Sequence, residues 1–490
     1  MIGTMSSPLR QINQRAAELQ PATFGASSRN PSQRLFGTSG IRGRADTVLT
    51  PQFVDRLGRT FAGVLGNRGT VFVGRDVRLH SKRIQGNLML GLVEGGVSVL
   101  DCGLVPTPAL LCAVKESKAS AGVVVTGSHT PSEIGGVLFF LSDTGEMGPS
   151  DERIFEKLYW SKTSGDKVGG KNGSISSVEI LDDYVRLIEK QLGNIGGYKV
   201  VVDPGNGATY ATLNRVLEGV GCKIVTINGR PDGRFPARSP NPQPSTLTQL
   251  SRAVKRTKAD LGVGTDSDGD RAVFATEQGD VLWADLTGAI FAKDEWQKNR
   301  GGVIISTVNT SCIMSLLCRK YEGSLKVTRV GPPAIAEALR STENAIFATE
   351  ESGKHIWPKI LLYGDAAVAS GKLLQIMKTQ GLTLGQLRNG LPRLYQVKTA
   401  IQCSDQLKGK AMEFVNLSCK SKGLMRTSTI DGLKVEYPDS SWFLVRASGT
   451  EPLLRCNAEA KNLERARELL GRATKLALHA IKNARESQET

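Results

Sequence analysis

Asp266, Asp268 and Asp270 alternate with Ser267 and Gly269 in the stretch GTDSDGDR. Carboxylates this close repel one another unless a cation lies between them, and an all-oxygen ligand set suits Mg2+ or another hard divalent ion. An EF-hand loop is the competing metal reading, because its twelfth position counted from Asp266 is Glu277. Its sixth position, where the sharp turn asks for glycine, is Arg271, and the flanks read as strands, not helices. An acidic surface turn is the bland alternative.

A second stretch, VVVTGSHTP, carries Ser128 and then His129, one of four histidines with His80, His355 and His479. A serine just past the end of a buried strand is placed for nucleophilic work. An imidazole with an unperturbed pKa of about 6.5 is a natural proton carrier beside it. In VRASGTEP, Arg446, Ser448, Gly449 and Thr450 share one turn. A guanidinium fork, two hydroxyls and free backbone N–H groups make a phosphate cradle, although a polar hairpin loop has the same composition. TEESGKH offers Glu350 and Ser352 as acceptor and donor for sugar hydroxyls, or else begins a helix. Arg42 lies in the glycine-rich LFGTSGIRG, either as a buried structural arginine or as a phosphate contact.

These stretches need a scaffold of strand ends. GTVFVGRD (69–76), AGVVVTGSH, GYKVVVDPGNGA (197–208), ADLGVGTDSDGDRAVFATEQG (259–279), GGVIISTVNT and NAIFATEESG each read as a buried strand running into a polar loop. Helical stretches separate them, which predicts βαβ units and parallel-rich sheets in three successive α/β blocks. Their shared rhythm suggests an internal repeat that residue-level similarity does not reveal. SKTSGDKVGGKNGSISS, residues 161–177, reads as a linker or exposed connection. The last hundred residues differ: two strands lie around the polar loop of 441–460, followed by a helix. That helix puts Ala466, Leu469, Leu470, Ala473, Ala477, Ala480, Ile481 and Ala484 on one face.

A chain of 490 residues is too long for one core, so several domains are expected. The net charge of +16 would suit nucleic acid or the steering of small anions. With aromatic residues at 6% and no basic run, a phosphorylated small molecule is the expected partner and nucleic acid is not. No two of the eight cysteines have C-x-x-C spacing, and scattered thiols suit a reducing, cytoplasmic setting. No apolar run approaches the roughly 18–20 residues of a membrane span. Residues 1–34 carry four arginines and one acid, an N-terminal extension that reads as a disordered tail or a targeting segment.

Taken together and in this order, LFGTSGIRG, VGRDVR, TGSHTP, VVDPGNGA, PDGRFPARSPNP, GTDSDGDR, TEESGKH and RASGTEP resemble the α-D-phosphohexomutases, over roughly residues 35–485. That family includes the phosphoglucomutases, phosphomannomutases and phosphoglucosamine mutases. The resemblance implies three similar α/β domains with mixed sheets and a smaller C-terminal α+β domain around a central cleft. The expected bounds are 35–168, 169–279, 280–390 and 391–490. It implies an isomerase, an intramolecular phosphotransferase that interconverts hexose 1-phosphate and hexose 6-phosphate (glucose or mannose), with phosphoglucosamine as the alternative substrate. Ser128 would be the phosphoserine, and Mg2+ would be held by Asp266, Asp268, Asp270 and a phosphate oxygen on Ser128. Hexose 1,6-bisphosphate would be intermediate and activator. Glu350 and Ser352 match the sugar loop, Arg446, Ser448, Gly449 and Thr450 the loop for the phosphate that is not transferred, and Arg42 and Arg271 charged catalytic positions. A monomer or homodimer is expected.

The sequence departs from the family pattern in three places. Thr130 replaces an asparagine after Ser128-His129. Thr349 replaces a glycine before Glu350, with Lys354 inserted before His355. Leu138 stands where the pattern N-G-x-K has the lysine assigned to proton transfer. A phosphohexomutase lacking it needs another group, with His129 the candidate, or is a non-catalytic sugar-phosphate-binding paralogue.

Overall fold

Four β-sheets, each with its own helices, account for the residues described in a computed structural model: 34–161, 173–418, 426–449 and 451–489. Thr450, the N-terminal extension apart from Arg34, and most of the expected linker lie outside the described residues.

The first sheet contains β1 (Ile41–Arg44), β2 (Thr70–Arg75), β3 (Ser98–Leu104), β4 (Ala121–Val125), β5 (Ile134–Leu141) and β6 (Ile175–Ser177), in the order β1-β5-β4-β2-β3-β6. β4, β2, β3 and β6 run parallel, whereas β5 is antiparallel to both β4 and β1. Here the structure corrects one expectation. Ile175–Ser177 is not linker but the edge strand of this sheet, because its backbone completes the exposed edge of β3.

The second sheet has β7 (Lys199–Asp203), β8 (Lys223–Thr226), β9 (Leu261–Thr265) and β10 (Ala272–Ala275), in the order β10-β9-β7-β8. The third has β11 (Val303–Thr307), β12 (Ser324–Thr328), β13 (Ala345–Thr349) and β14 (His355–Ile356), in the order β12-β11-β13-β14. Each repeats the arrangement at the centre of the first sheet: three parallel strands with an antiparallel fourth beside the last. The internal repeat is therefore one of topology. β4 and β9 are buried along their whole length, which explains their continuous apolar or glycine character in place of an alternating one.

The repeat places the chemistry. Ser128 lies between β4 and β5, the aspartates between β9 and β10, and Glu350 and Ser352 between β13 and β14. All three loops join the last parallel strand to its antiparallel neighbour, so the same turn of the chain is used once in each of the first three domains.

The fourth sheet is wholly antiparallel: β15 (Tyr395–Gln402), β16 (Arg426–Ser428), β17 (Leu433–Glu436), β18 (Trp442–Ala447) and β19 (Leu453–Ala460), in the order β15-β19-β18-β17-β16. The helix Leu463–Glu489 covers it through Leu469, Ala473, Ala477, Ala480, Ile481 and Ala484, with Leu470 partly buried. Small alanines let the long helix lie close to the strands. Among the described residues no helix is long and apolar enough to cross a membrane.

Candidate active site

The chain leaves β4 through Thr126 and Gly127 and turns at Ser128, whose φ is +51°. That left-handed conformation is costly for a non-glycine residue unless its surroundings impose it. Here they do. Ser128 N donates to Thr126 Oγ1 (2.8 Å), and Ser128 O accepts from Arg78 Nη2 (2.9 Å) and Ser267 Oγ (2.8 Å). Arg78 is fully buried, pairs with Asp76 and also reaches Thr130 O (2.5 Å) and Ser267 Oγ (2.7 Å). Asp76 accepts in turn from Thr126 Oγ1 and Ser81 Oγ. A Cβ on Gly127 would lie 2.7 Å from the Arg78 guanidinium carbon, so glycine is required there. Asp76 and Arg78 belong to VGRDVR, just past the end of β2, where a charged pair after a buried strand is the signal that could have marked them.

The same turn brings Ser128 to the loop of the three aspartates. Ser128 Oγ is buried and donates to Asp266 Oδ2 (2.8 Å). Asp266 Oδ1 accepts from the backbone N–H groups of Gly269 and Arg271, and Asp268 Oδ2 from Thr107 Oγ1 (2.8 Å). Each aspartate offers a carboxylate oxygen within 4.8 Å of the others, and all three residues are buried. Asp268 Oδ1 and Asp270 Oδ1 have no hydrogen-bond partner. Buried acceptors rarely go unsatisfied, and orphan oxygens in a three-carboxylate cluster suit a hard cation. Mg2+ fits these residues, with the Ser128 hydroxyl in contact with the cluster through Asp266.

The local electrostatics agree. Burial, then Asp270 and Asp268, push Asp266 well above the ordinary carboxylate range, and burial and Asp270 raise Asp268 to about 6. Burial acts on Asp270 too, but the Lys354 ammonium and the Arg271 guanidinium outweigh it and hold that carboxyl low. Arg271 Nε lies 3.6 Å from Asp266 Oδ2 and 3.7 Å from Asp270 Oδ1.

His129 is partly exposed, with its Nδ1 buried and unpartnered. Burial and the nearby charges of Arg271, Arg42 and Lys354 hold its pKa well below 6.5. The neutral ring is therefore favoured. Arg42 reaches Gly127 O and Ser39 Oγ (3.5 and 3.4 Å). Ser39 in turn donates to Glu146, a carboxyl that burial raises to about 8. Leu138 is enclosed, paired with Val124 across β4 and β5, and belongs to the largest apolar cluster.

Glu350 is buried, accepts from Ser352 Oγ and has its Oε2 unpartnered. Arg446, at the end of β18, pairs with Asp431 (3.3 Å). Ser448 is buried and its carbonyl accepts from Lys408 Nζ (2.7 Å). A Cβ on Gly449 would overlap Thr38 Oγ1 of the LFGTSGIRG loop, so the fourth domain's loop touches the first domain. The structure thus brings Ser128, the three aspartates and Arg271 into direct contact. His129 and Arg42 lie beside them, while Arg446, Ser448 and Gly449 form a separate loop on the fourth domain. Two buried polar residues near the centre, Lys354 and Glu146, had no assigned role in the sequence.

The chain matches all four domains of one family: phosphoglucomutase/phosphomannomutase alpha/beta/alpha domains I (residues 33–166), II (182–279) and III (283–395), and its C-terminal domain (397–476). It is 36% identical over 460 residues to a phosphoglucomutase/phosphomannomutase of Thermococcus kodakarensis, covering 92% of this chain and 99% of that one. A phosphoglucosamine/phosphogalactosamine mutase of Sulfurisphaera tokodaii is 33% identical, with 90% and 99% covered. The crystal structure of a phosphoglucomutase/phosphomannomutase family protein from Burkholderia thailandensis superposes with a TM-score of 0.80 at 28% identity, covering 92% of this chain and 98% of the other.

Proposed function

The chain belongs to the phosphoglucomutase/phosphomannomutase family and is a hexose-phosphate mutase, and from that premise we propose that it works through Ser128 as phosphoserine donor, with glucose or mannose phosphate as substrate. The observation that carries this reading is the buried contact between Ser128 Oγ and Asp266 Oδ2 (2.8 Å) beside two orphan carboxylate oxygens. A phosphate on Ser128 would add oxygens facing that cluster.

In the forward step the sugar hydroxyl oxygen attacks the phosphorus on Ser128. The new O–P bond forms as the Ser128 Oγ–P bond breaks, leaving a hexose 1,6-bisphosphate. His129 Nδ1, neutral and unpartnered, accepts the hydroxyl proton. An imidazolium among Arg271, Arg42 and Lys354 is unfavourable, so the proton passes on to the departing Ser128 Oγ, which ends the step as a hydroxyl. Ser128 then takes the other phosphoryl group from the turned intermediate, and a dissociated bisphosphate rephosphorylates an emptied serine. Asp266, Asp268, Asp270 and the Ser128 phosphate would hold Mg2+, which when bound neutralises charge on the transferring group. Arg42 and Arg271 add fixed positive charge, Glu350 and Ser352 bind sugar hydroxyls, and Arg446, Ser448, Gly449 and Thr450 hold the other phosphate. All these residues come from one chain, so a monomer or a homodimer serves equally.

The test is a coupled assay with Mg2+ and a trace of glucose 1,6-bisphosphate over glucose, mannose and glucosamine 1-phosphates. Conversion of the first or second supports the reading, and preference for the third assigns phosphoglucosamine instead. No conversion of any of the three, with an intact mass that never includes a phosphate, would point instead to a non-catalytic sugar-phosphate binder in which Leu138 has replaced the proton-transferring lysine.

A further inference from the structure

Lys354 enters the chemistry above only as a charge near His129, yet it stands against the three-aspartate loop. It lies between β13 and β14 of the third sheet and is 2% exposed. Its ammonium nevertheless pairs with Asp270 Oδ2 of the second domain. It also donates to the Tyr363 hydroxyl (2.9 Å) and lies 4.2 Å from the centroid of that ring. The backbone beside it is tied as well. Gly353 O accepts from Ala272 N at the start of β10 (3.0 Å), and Lys354 O accepts from Glu350 N (3.2 Å).

A buried ammonium persists only where it is paired, and so do buried carboxylates. Arg271 and Lys354 set two positive charges against three aspartates. Lys354 occupies one oxygen of Asp270 and leaves Oδ1 without a hydrogen-bond partner. Its surroundings also bear on Leu138. The Tyr363 ring packs 4.9 Å from that of Phe140, which lies two residues beyond Leu138 on the same face of β5. The buried ammonium on this side of the cleft thus comes from the third domain and not from β5.

We propose that Lys354 is a positioning residue of the metal loop, an internal counter-cation that holds Asp270 by one oxygen and keeps the three-aspartate turn formed when no divalent ion is bound. The inference rests on the reading of Asp266, Asp268 and Asp270 as the Mg2+ site. Its consequence is a trade: the empty loop is stabilised, and the ion binds less tightly because it meets a resident positive charge.

The experiment compares the full-length protein with Lys354→Met, Lys354→Gln and Lys354→Arg. Mg2+ binding is measured by titration calorimetry without sugar phosphate, and thermal unfolding with and without the ion. Met and Gln are expected to lower the unfolding temperature of the ion-free protein and to gain more from saturating Mg2+ than the unsubstituted chain. They should bind the ion about tenfold more tightly or better, since a unit charge in contact with a ligand carboxylate is removed. Arg, which keeps the charge, should stay near the unsubstituted affinity. Equal destabilisation with and without Mg2+, at unchanged affinity, would mark Lys354 as merely structural and overturn the proposal. An unsubstituted protein that binds no Mg2+ would overturn the metal reading and this inference together. None of these readouts needs turnover, so they decide on Lys354 even if the mutase assay fails.

Discussion

His129 and Glu146 show how far burial and neighbouring charge retune a side chain at this site. His129 is surrounded by cations and sits well below its ordinary pKa. The acid limb of kcat/KM should therefore lie below the usual imidazole range, and a limb centred near 6.5 would remove His129 as the free-enzyme base. His129→Ala should lower kcat by about 10²–10⁴-fold, the usual worth of general acid–base help. Glu146 is shifted the other way, from 4.5 to about 8, by burial. The folded state binds that proton more tightly than the unfolded chain, so stability falls as pH rises from 4.5 towards 8 and levels off above. Glu146→Gln should flatten this slope and stabilise the protein at pH 8, by an amount on the order of a few kcal/mol. Urea midpoints of both proteins between pH 5 and 9 check it; parallel profiles would refute it. Ser128 and the aspartates were legible in the sequence because their chemistry is local: one dipeptide and one five-residue run. Arg78 and Lys354 were not, because their meaning lies in contacts across the chain. Arg78 meets Ser267 at a separation of 189 residues, and Lys354 meets Asp270 at 84.

At the scale of the element, the strand-to-loop rhythm was legible because buried strands bounded by glycine and polar turns leave a direct pattern. That one kind of connection carries all three chemical loops was not. It depends on which strands run antiparallel, and sequence alone does not say so. The loop of Glu350 and Ser352 shows what that connection requires. Gly353 has a φ of +95°, and a Cβ there would lie 2.9 Å from Ala272 O. Gly353→Ala therefore meets backbone strain and a neighbour that cannot give way, worth about 1–3 kcal/mol. The expected outcome is lower stability together with a raised KM for sugar phosphate, since Glu350 and Ser352 hang from this turn. A variant as stable as the parent with unchanged KM would show that the loop tolerates another path.

At the scale of the whole molecule, three domains meet at a point that no single one owns. Thr38 lies between the third and fourth domains: Cβ atoms built on Gly331 and on Gly449 would both run into it. Asp431 ties the fourth domain back, accepting from Val330 N (3.1 Å) and pairing with Arg446. Among the described residues, the Arg446–Gly449 loop thus meets the first domain through Gly449 and the third through Asp431. A methyl at Gly449 would push the loop from Thr38 while leaving Ser128 and the aspartates untouched, because they sit on other domains. Gly449→Ala should then raise KM by about tenfold, the loss of roughly 1.4 kcal/mol of binding, with little change in kcat at saturating substrate. Asp431→Asn, which loosens the second contact, should act in the same direction, and the double variant should exceed either single change. Steady-state kinetics of the three variants decide it. A fall in kcat without a rise in KM would mean that the fourth domain helps to position the reacting groups and does more than grip the far phosphate.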